Sequence, residues 1–154
     1  MQAPANTLND TVVDIMPAEA GATVKPAAVR VMVIDDNEEF CHIIKEMLDP
    51  LGYQVQTITN PVKALELYTR VKESIELVIL DYYMPGLDGA QTFEWLRKLN
   101  PNVKVILCSG IEGLRLRQLQ ARHAIDGFIA KPFHIQEALH VIRKVMGSRV
   151  PKSA

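Results

Sequence analysis

The chain has 154 residues, 48% hydrophobic and 23% charged, with 17 Lys+Arg against 18 Asp+Glu and a formal charge of -1. Such a chain fits one ordinary globular domain with a packed core and is unlike a disordered or collagen-like sequence. It carries no bulk positive field to hold a nucleic-acid backbone, and no apolar run approaches the roughly 20 residues that cross a bilayer.

Residues 1–27 mix Ala, Pro, Thr and Asp without sustained periodicity, and Pro4, Pro17 and Pro26 block a long helix. A flexible tail is expected there, with room for a short amphipathic piece at 12–16. The first basic side chain is Lys25, and Asp10, Asp14 and Glu19 interrupt the stretch before it, so a secretory signal is not expected and a cytoplasmic location is. Cys41 and Cys108 lack CxxC spacing and read as reduced, half-buried thiols.

From Val29 onward, short β-branched runs alternate with segments of helical period, the pattern of βα units on a parallel sheet. Strands are expected at 29–34, 53–58, 77–80, 103–107 and 127–130. Only the second alternates; the others are near-continuous Val, Ile and Leu, as in strands covered by helices on both faces. Phe40, Ile43, Ile44, Met47 and Leu48 stripe a first helix, and Leu65 and Tyr68 a second. The second opens at Asn60-Pro61, an N-cap followed by proline at the first helical position. Phe93, Leu96 and Leu99 mark a third helix ending at Asn100-Pro101, and Leu116 and Leu119 a weaker fourth. Ile135, Ala138, Leu139, Ile142, Val145 and Met146 line a fifth. The expected organisation is a tail at 1–27, a folded domain at 28–147 and a short tail at 148–154.

In an open parallel sheet, ligands bind beyond the carboxyl ends of the strands, where successive crossovers diverge to opposite faces. Here the first strand ends in Asp35-Asp36, the third in Asp81, the fourth in Ser109 and the fifth in Lys131-Pro132. Three carboxylates held close together repel one another unless a cation joins them. A hard divalent ion resolves the conflict, and magnesium, which takes oxygen ligands and commonly sits on one or two carboxylates plus a phosphate, suits this set better than zinc. His42, His123, His134 and His140 show no metal-ligand spacing. Lys131 can pair with a carboxylate or with a phosphoryl group, whose oxygens the Ser109 hydroxyl could also bind. Phosphoryl transfer is mostly positioning and charge neutralisation, and Asp81, central in the sheet, is the natural nucleophile.

These segments, in this order and at this spacing, resemble the receiver domain of two-component response regulators. The carriers are Val33-Ile34-Asp35-Asp36-Asn37, the run Leu80-Asp81-Tyr82-Tyr83-Met84-Pro85-Gly86-Leu87-Asp88-Gly89, Cys108-Ser109-Gly110 and Lys131-Pro132-Phe133. The resemblance implies an α/β, flavodoxin-like (βα)5 three-layer sandwich whose parallel five-stranded sheet has the order 2-1-3-4-5. It implies that Asp81 accepts a phosphoryl group from the phosphohistidine of a histidine kinase or histidine phosphotransfer protein. It further implies Mg2+ on Asp36, Asp81 and the backbone carbonyl of Tyr83, with Asp35 acting largely through water. Ser109 and Lys131 would contact the phosphoryl oxygens, and the peptide before Pro132 would be cis. Phe128 stands where the family often has tyrosine; rotation of its ring would couple Ser109 to the outer surface. Bulky Tyr83 and Ile111, two residues beyond the nucleophile and the hydroxyl, are expected to hinder water and slow loss of the phosphoryl group.

Taken singly, the same residues have plainer readings. Asp35-Asp36 suits a helix N-cap, Lys131 a surface lysine, Ser109 a helix cap, and Gly86 and Gly89 turns. Arg115, Arg117 and Arg122 read as a solvated helix face or, following the resemblance, a docking surface; Trp95 and Tyr82-Tyr83 read as packing or site-rim residues. A haloacid-dehalogenase-type phosphatase would need a second aspartate two residues beyond the nucleophile, where Tyr83 stands. An FMN binder would need a Ser/Thr/Gly-rich phosphate loop after the first strand, and an unphosphorylated scaffold would not need the full set of acids, hydroxyl and lysine. With only 147–154 following Met146, a single-domain response regulator that acts by binding a downstream protein target is expected.

Overall fold

The computed structural model describes residues 28–110, 113–149 and 151. The expected tail at 1–27, Ile111 and residues 150 and 152–154 lie outside the described residues. Five parallel strands form one sheet: β1 (Arg30–Ile34), β2 (Gln54–Ile58), β3 (Leu77–Asp81), β4 (Lys104–Ser109) and β5 (Gly127–Ala130). They hydrogen-bond in the order β2-β1-β3-β4-β5. Helices α1 (Glu38–Leu48), α2 (Pro61–Val71), α3 (Gly89–Leu99), α4 (Gly113–Arg122) and α5 (Ile135–Met146) form the connections and the last layer.

Strand side chains alternate between the two faces, which divides the core in two. Val31, Val33, Leu77 and Ile79 pack with Ile44 and Leu48 of α1 and Leu139 and Ile142 of α5. Met32, Ile34, Val78 and Leu80 pack with Tyr68 of α2, Leu96 of α3 and Leu119 of α4. The three-layer sandwich and its strand order are those expected. Among the described residues no helix is long and apolar enough to cross a membrane.

Two strands run further than the apolar signal. β3 includes Asp81 and β4 includes Ser109, with Asp81 in register with Cys108 and Ser109 with Ala130. Backbone pairing does not depend on side-chain polarity, so the ladder carries both polar residues to its rim. A 3-10 turn at Asp49–Leu51 follows α1. It was hidden by its length of 3 residues, too short for a periodic signal.

Side-chain caps start the helices next to the strand ends. Asn37 Oδ1 accepts from the Phe40 N–H at 3.0 Å, and Asn60 Oδ1 accepts from Val62 and Lys63 at 3.0 and 3.1 Å. Asp88 and Gln91 cap each other reciprocally at α3. Gly86 is a turn glycine, with φ of +88°. Gly89 departs from the turn reading, because it is the first residue of α3. A Cβ there would lie 2.5 Å from Tyr82 Cα and 2.6 Å from the Asp81 carbonyl oxygen, so only glycine lets α3 begin this close to the end of β3.

A polar clasp far along the sequence holds the other side. Arg97 Nη2 donates to Asp126 Oδ2 at 2.7 Å and to the Ala124 carbonyl at 2.9 Å, while Asp126 Oδ2 also accepts the Val105 N–H at 2.8 Å. At the amino ends of the strands, Arg149 pairs with Glu76 Oε2 at 2.7 Å, and the Glu76 N–H donates to the Arg30 carbonyl at 3.0 Å.

Candidate functional site

The carboxyl ends of β1, β3, β4 and β5 bring Asp35, Asp36, Asp81, Ser109 and Lys131 to one rim. Asp35, 1% exposed, has both carboxylate oxygens engaged. Oδ1 accepts the Asn37 N–H at 2.9 Å, and Oδ2 accepts from Lys131 Nζ at 2.6 Å. The Cys41 thiol donates to the Asp35 carbonyl at 3.3 Å. Asp36 is exposed. Oxygens of Asp35, Asp36 and Asp81 lie within 4.8 Å of one another.

Asp81 is buried at the end of the central strand β3, and its Oδ1 lies 3.6 Å from Lys131 Nζ. Burial first, and then the charge of Asp35, push its pKa up to about 6, against the opposing pull of Lys131 and the Tyr83 backbone N–H. For Lys131, burial works against the charge, but the Asp35 hydrogen bond and the charges of Asp81 and Asp35 outweigh it, leaving the pKa above the ordinary lysine value. The Lys131 N–H also donates to the Ser109 carbonyl at 2.9 Å, tying β5 to β4 at the rim. Ser109 is 1% exposed, and its hydroxyl has no hydrogen-bond partner among the described residues. The Lys131–Pro132 peptide is cis.

The remaining candidates are more dispersed. Tyr83 is 49% exposed, stacked edge-on against Tyr82, with the Arg115 guanidinium 5.5 Å from its ring centre. Phe128 is partly buried against the core on the α2, α3 and α4 side. Trp95 is not a core residue: it is 50% exposed on α3, with Lys98 Nζ 4.9 Å from its ring centre. Arg115, Arg117 and Arg122 are exposed on α4. Cys41 and Cys108 are fully rather than half buried, and burial pushes both thiols up to about 12, so neither is a reactive thiolate. The sequence reading missed one contact at the site: the Phe40 ring centre lies 3.9 Å from Lys131 Nζ. Its helical spacing had marked Phe40 only as a core residue.

The residues present fit a hard divalent cation. The donor set is all oxygen, two of the three carboxylates are buried, and Lys131 stands against both buried ones. The buried Ser109 hydroxyl, without a partner among the described residues, is chemically able to donate to an anionic oxygen.

The sequence profile of the response regulator receiver domain matches residues 31–143. The Thermotoga maritima chemotaxis protein CheY is 31% identical over 118 residues, covering 75% of this chain and 96% of CheY. The Arabidopsis thaliana two-component response regulator ARR12 is 30% identical over 128 residues, 83% of this chain, but the chain spans only 21% of that regulator's length. Among solved structures, a chain of the CheX-CheY-BeF3-Mg2+ complex from Borrelia burgdorferi superposes with a TM-score of 0.72 at 22% identity, covering 77% of this chain and 89% of that one. By its sequence profile, its strand order and the acidic rim at the strand ends, the chain belongs to the response regulator receiver domain family.

Proposed function

We propose that Asp81 is the phosphoacceptor of this receiver domain, with Lys131 and Ser109 as its partners in phosphoryl transfer. The observation that carries the assignment is the unequal state of the two buried carboxylates. Both oxygens of Asp35 are occupied by the Asn37 N–H and Lys131, whereas Asp81 stands 3.6 Å from Lys131 in an environment that penalises its charge. A carboxylate with weaker partners is the better nucleophile.

In the reaction an Asp81 oxygen attacks the phosphorus of a phosphohistidine, the P–N bond breaks, and the imidazole leaves with the electron pair and takes up a proton. Lys131 moves from Asp35 towards a phosphoryl oxygen, and the Ser109 hydroxyl donates to another. Asp36, Asp81 and the Tyr83 backbone carbonyl would hold Mg2+, with Asp35 acting through water; when bound, the ion neutralises the carboxylates and the incoming oxygens. The presence of Mg2+ in the Borrelia CheY complex supports that choice of ion. The donor is a histidine kinase or a histidine phosphotransfer protein, and the output is altered binding to a downstream protein. The domain is taken as 28–147, with Phe128 as its switch aromatic. The protein acts as a phosphorylated signal rather than as a turnover enzyme, and its place is the cytoplasm, where such donors present phosphohistidine.

The test is intact-mass spectrometry after incubation with phosphoramidate and Mg2+. One hydroxylamine-labile phosphoryl group on wild type and none on Asp81→Asn is expected. An equal adduct on Asp81→Asn overturns the assignment.

A further inference from the structure

An ammonium has three N–H donors, and at Lys131 the two buried carboxylates account for two directions. Nζ is 2.6 Å from Asp35 Oδ2, 3.6 Å from Asp81 Oδ1 and 3.9 Å from the centre of the Phe40 ring. The electron-rich face of a phenyl ring attracts a cation at such a distance. The ring is itself held in place: Phe133 meets it edge-on at 5.8 Å and 87°, and both rings pack against the core under α1 and α5. Its backbone is held too, since the Phe40 N–H donates to Asn37 Oδ1, and the Asn37 N–H in turn donates to Asp35 Oδ1. Asp35, Asn37, Phe40 and Lys131 therefore close a ring of four contacts beside Asp81.

We propose that Phe40 is a positioning residue for Lys131, its aromatic face keeping the ammonium inside the cleft within a short movement of a phosphoryl oxygen on Asp81. The proposal rests on Asp81 being the phosphoacceptor. A lysine head on a flexible four-carbon stem has an alternative in water, and the Lys131 side chain is 26% exposed, so the route outward is open. Without the ring the ammonium spends part of its time in solvent, away from both carboxylates. An aliphatic side chain of similar volume preserves the packing but offers no π face.

The experiment compares wild type, Phe40→Met and Phe40→Trp, with Phe40→Leu replacing the methionine variant should that not fold. Phosphoramidate with Mg2+ is the donor, so that docking of a protein partner does not enter. Phe40→Met is expected to take up the phosphoryl group about three- to thirty-fold more slowly, and Phe40→Trp at close to the wild-type rate. In the metal-free proteins, the Lys131 Cε protons should be shifted upfield by the ring current in wild type and Phe40→Trp and return to ordinary lysine values in Phe40→Met. Uptake by Phe40→Met at the wild-type rate, Phe40→Trp as slow as Phe40→Met, or an unshifted Lys131 in wild type each overturns the proposal. Failure of wild type itself to take up phosphoryl groups removes the phosphoacceptor reading, and the proposal with it. Normal wild-type uptake with an unaffected Phe40→Met variant removes the proposal alone.

Discussion

Replacing Asp81 by asparagine is expected to stabilise the metal-free protein, although it removes the proposed phosphoacceptor. Asp81 is charged at neutral pH in a place that resists the charge, with its pKa pushed up to about 6 from an ordinary 3.8. A carboxyl whose folded-state pKa is raised adds stability below its unfolded value and loses it as pH rises through the folded value. At about 1.36 kcal/mol per pH unit, the gap corresponds to a ceiling of ~3 kcal/mol above pH 6, and relaxation around the asparagine leaves an expected gain of about 1–3 kcal/mol. Urea unfolding followed by circular dichroism, in EDTA at pH 7.5 and again near pH 4, measures it. The two proteins should be close in stability at the lower pH, diverge as pH rises from about 4 to about 6, and keep a constant difference above that. Millimolar Mg2+ should narrow the difference at pH 7.5, because the cation binds folded wild type in preference to the unfolded chain. A variant no more stable than wild type at pH 7.5, or a difference that does not change with pH, refutes the electrostatic account.

Gly89→Ala is expected to destabilise by about 1–3 kcal/mol in the same unfolding assay, because the added methyl collides with the backbone of Asp81 and Tyr82. Helix propensity alone predicts a gain of up to about 1 kcal/mol for this change, so the sign of the result separates the two effects. Tyr83→Ala is expected to shorten the lifetime of phosphorylated protein, since the ring stands at the rim with Arg115 against it. A gain of about tenfold in the rate of phosphoryl loss, the effect of ~1.4 kcal/mol on a barrier, would show in a time course of intact mass. An unchanged rate means that the ring does not screen Asp81.

The fold was legible because each unit carried two independent signals, an apolar strand and a periodic helix, and Asn60-Pro61 marked a helix start that the structure bears out. The convergence of Asp35, Asp81 and Lys131 was also legible, although the lysine and Asp35 are 96 positions apart. Topology does that work: parallel strands place all their carboxyl ends on one rim, so a polar residue after an apolar run already has an address. Contacts set by side-chain direction within a layer had no such address. The Arg97–Asp126 clasp spans 29 positions between a helix face and a loop, and neither residue breaks any pattern. Phe40 obeyed the helical period and so looked like ordinary core. Gly89 sat in a glycine-rich turn sequence, and only the closeness of α3 to β3 gives it a different task. Trp95 shows the limit of reading by residue type, since a lone large aromatic suggested packing and instead lies on the outer face of α3.

Glu76 joins the two ends of the folded unit: its backbone N–H reaches Arg30 at the start of β1, and its carboxylate reaches Arg149 beyond α5. Both connections of the chain therefore leave from the amino ends of the strands, while Asp81 lies at the other end of a 5-residue strand, a separation of about 15 Å at roughly 3.3 Å per residue. A unit with adjacent ends and a remote reactive pole can be grafted into a surface loop of a host protein without prising its own fold apart. A host loop cut to accept residues 28–149 would carry the acidic rim at the pole away from both junctions.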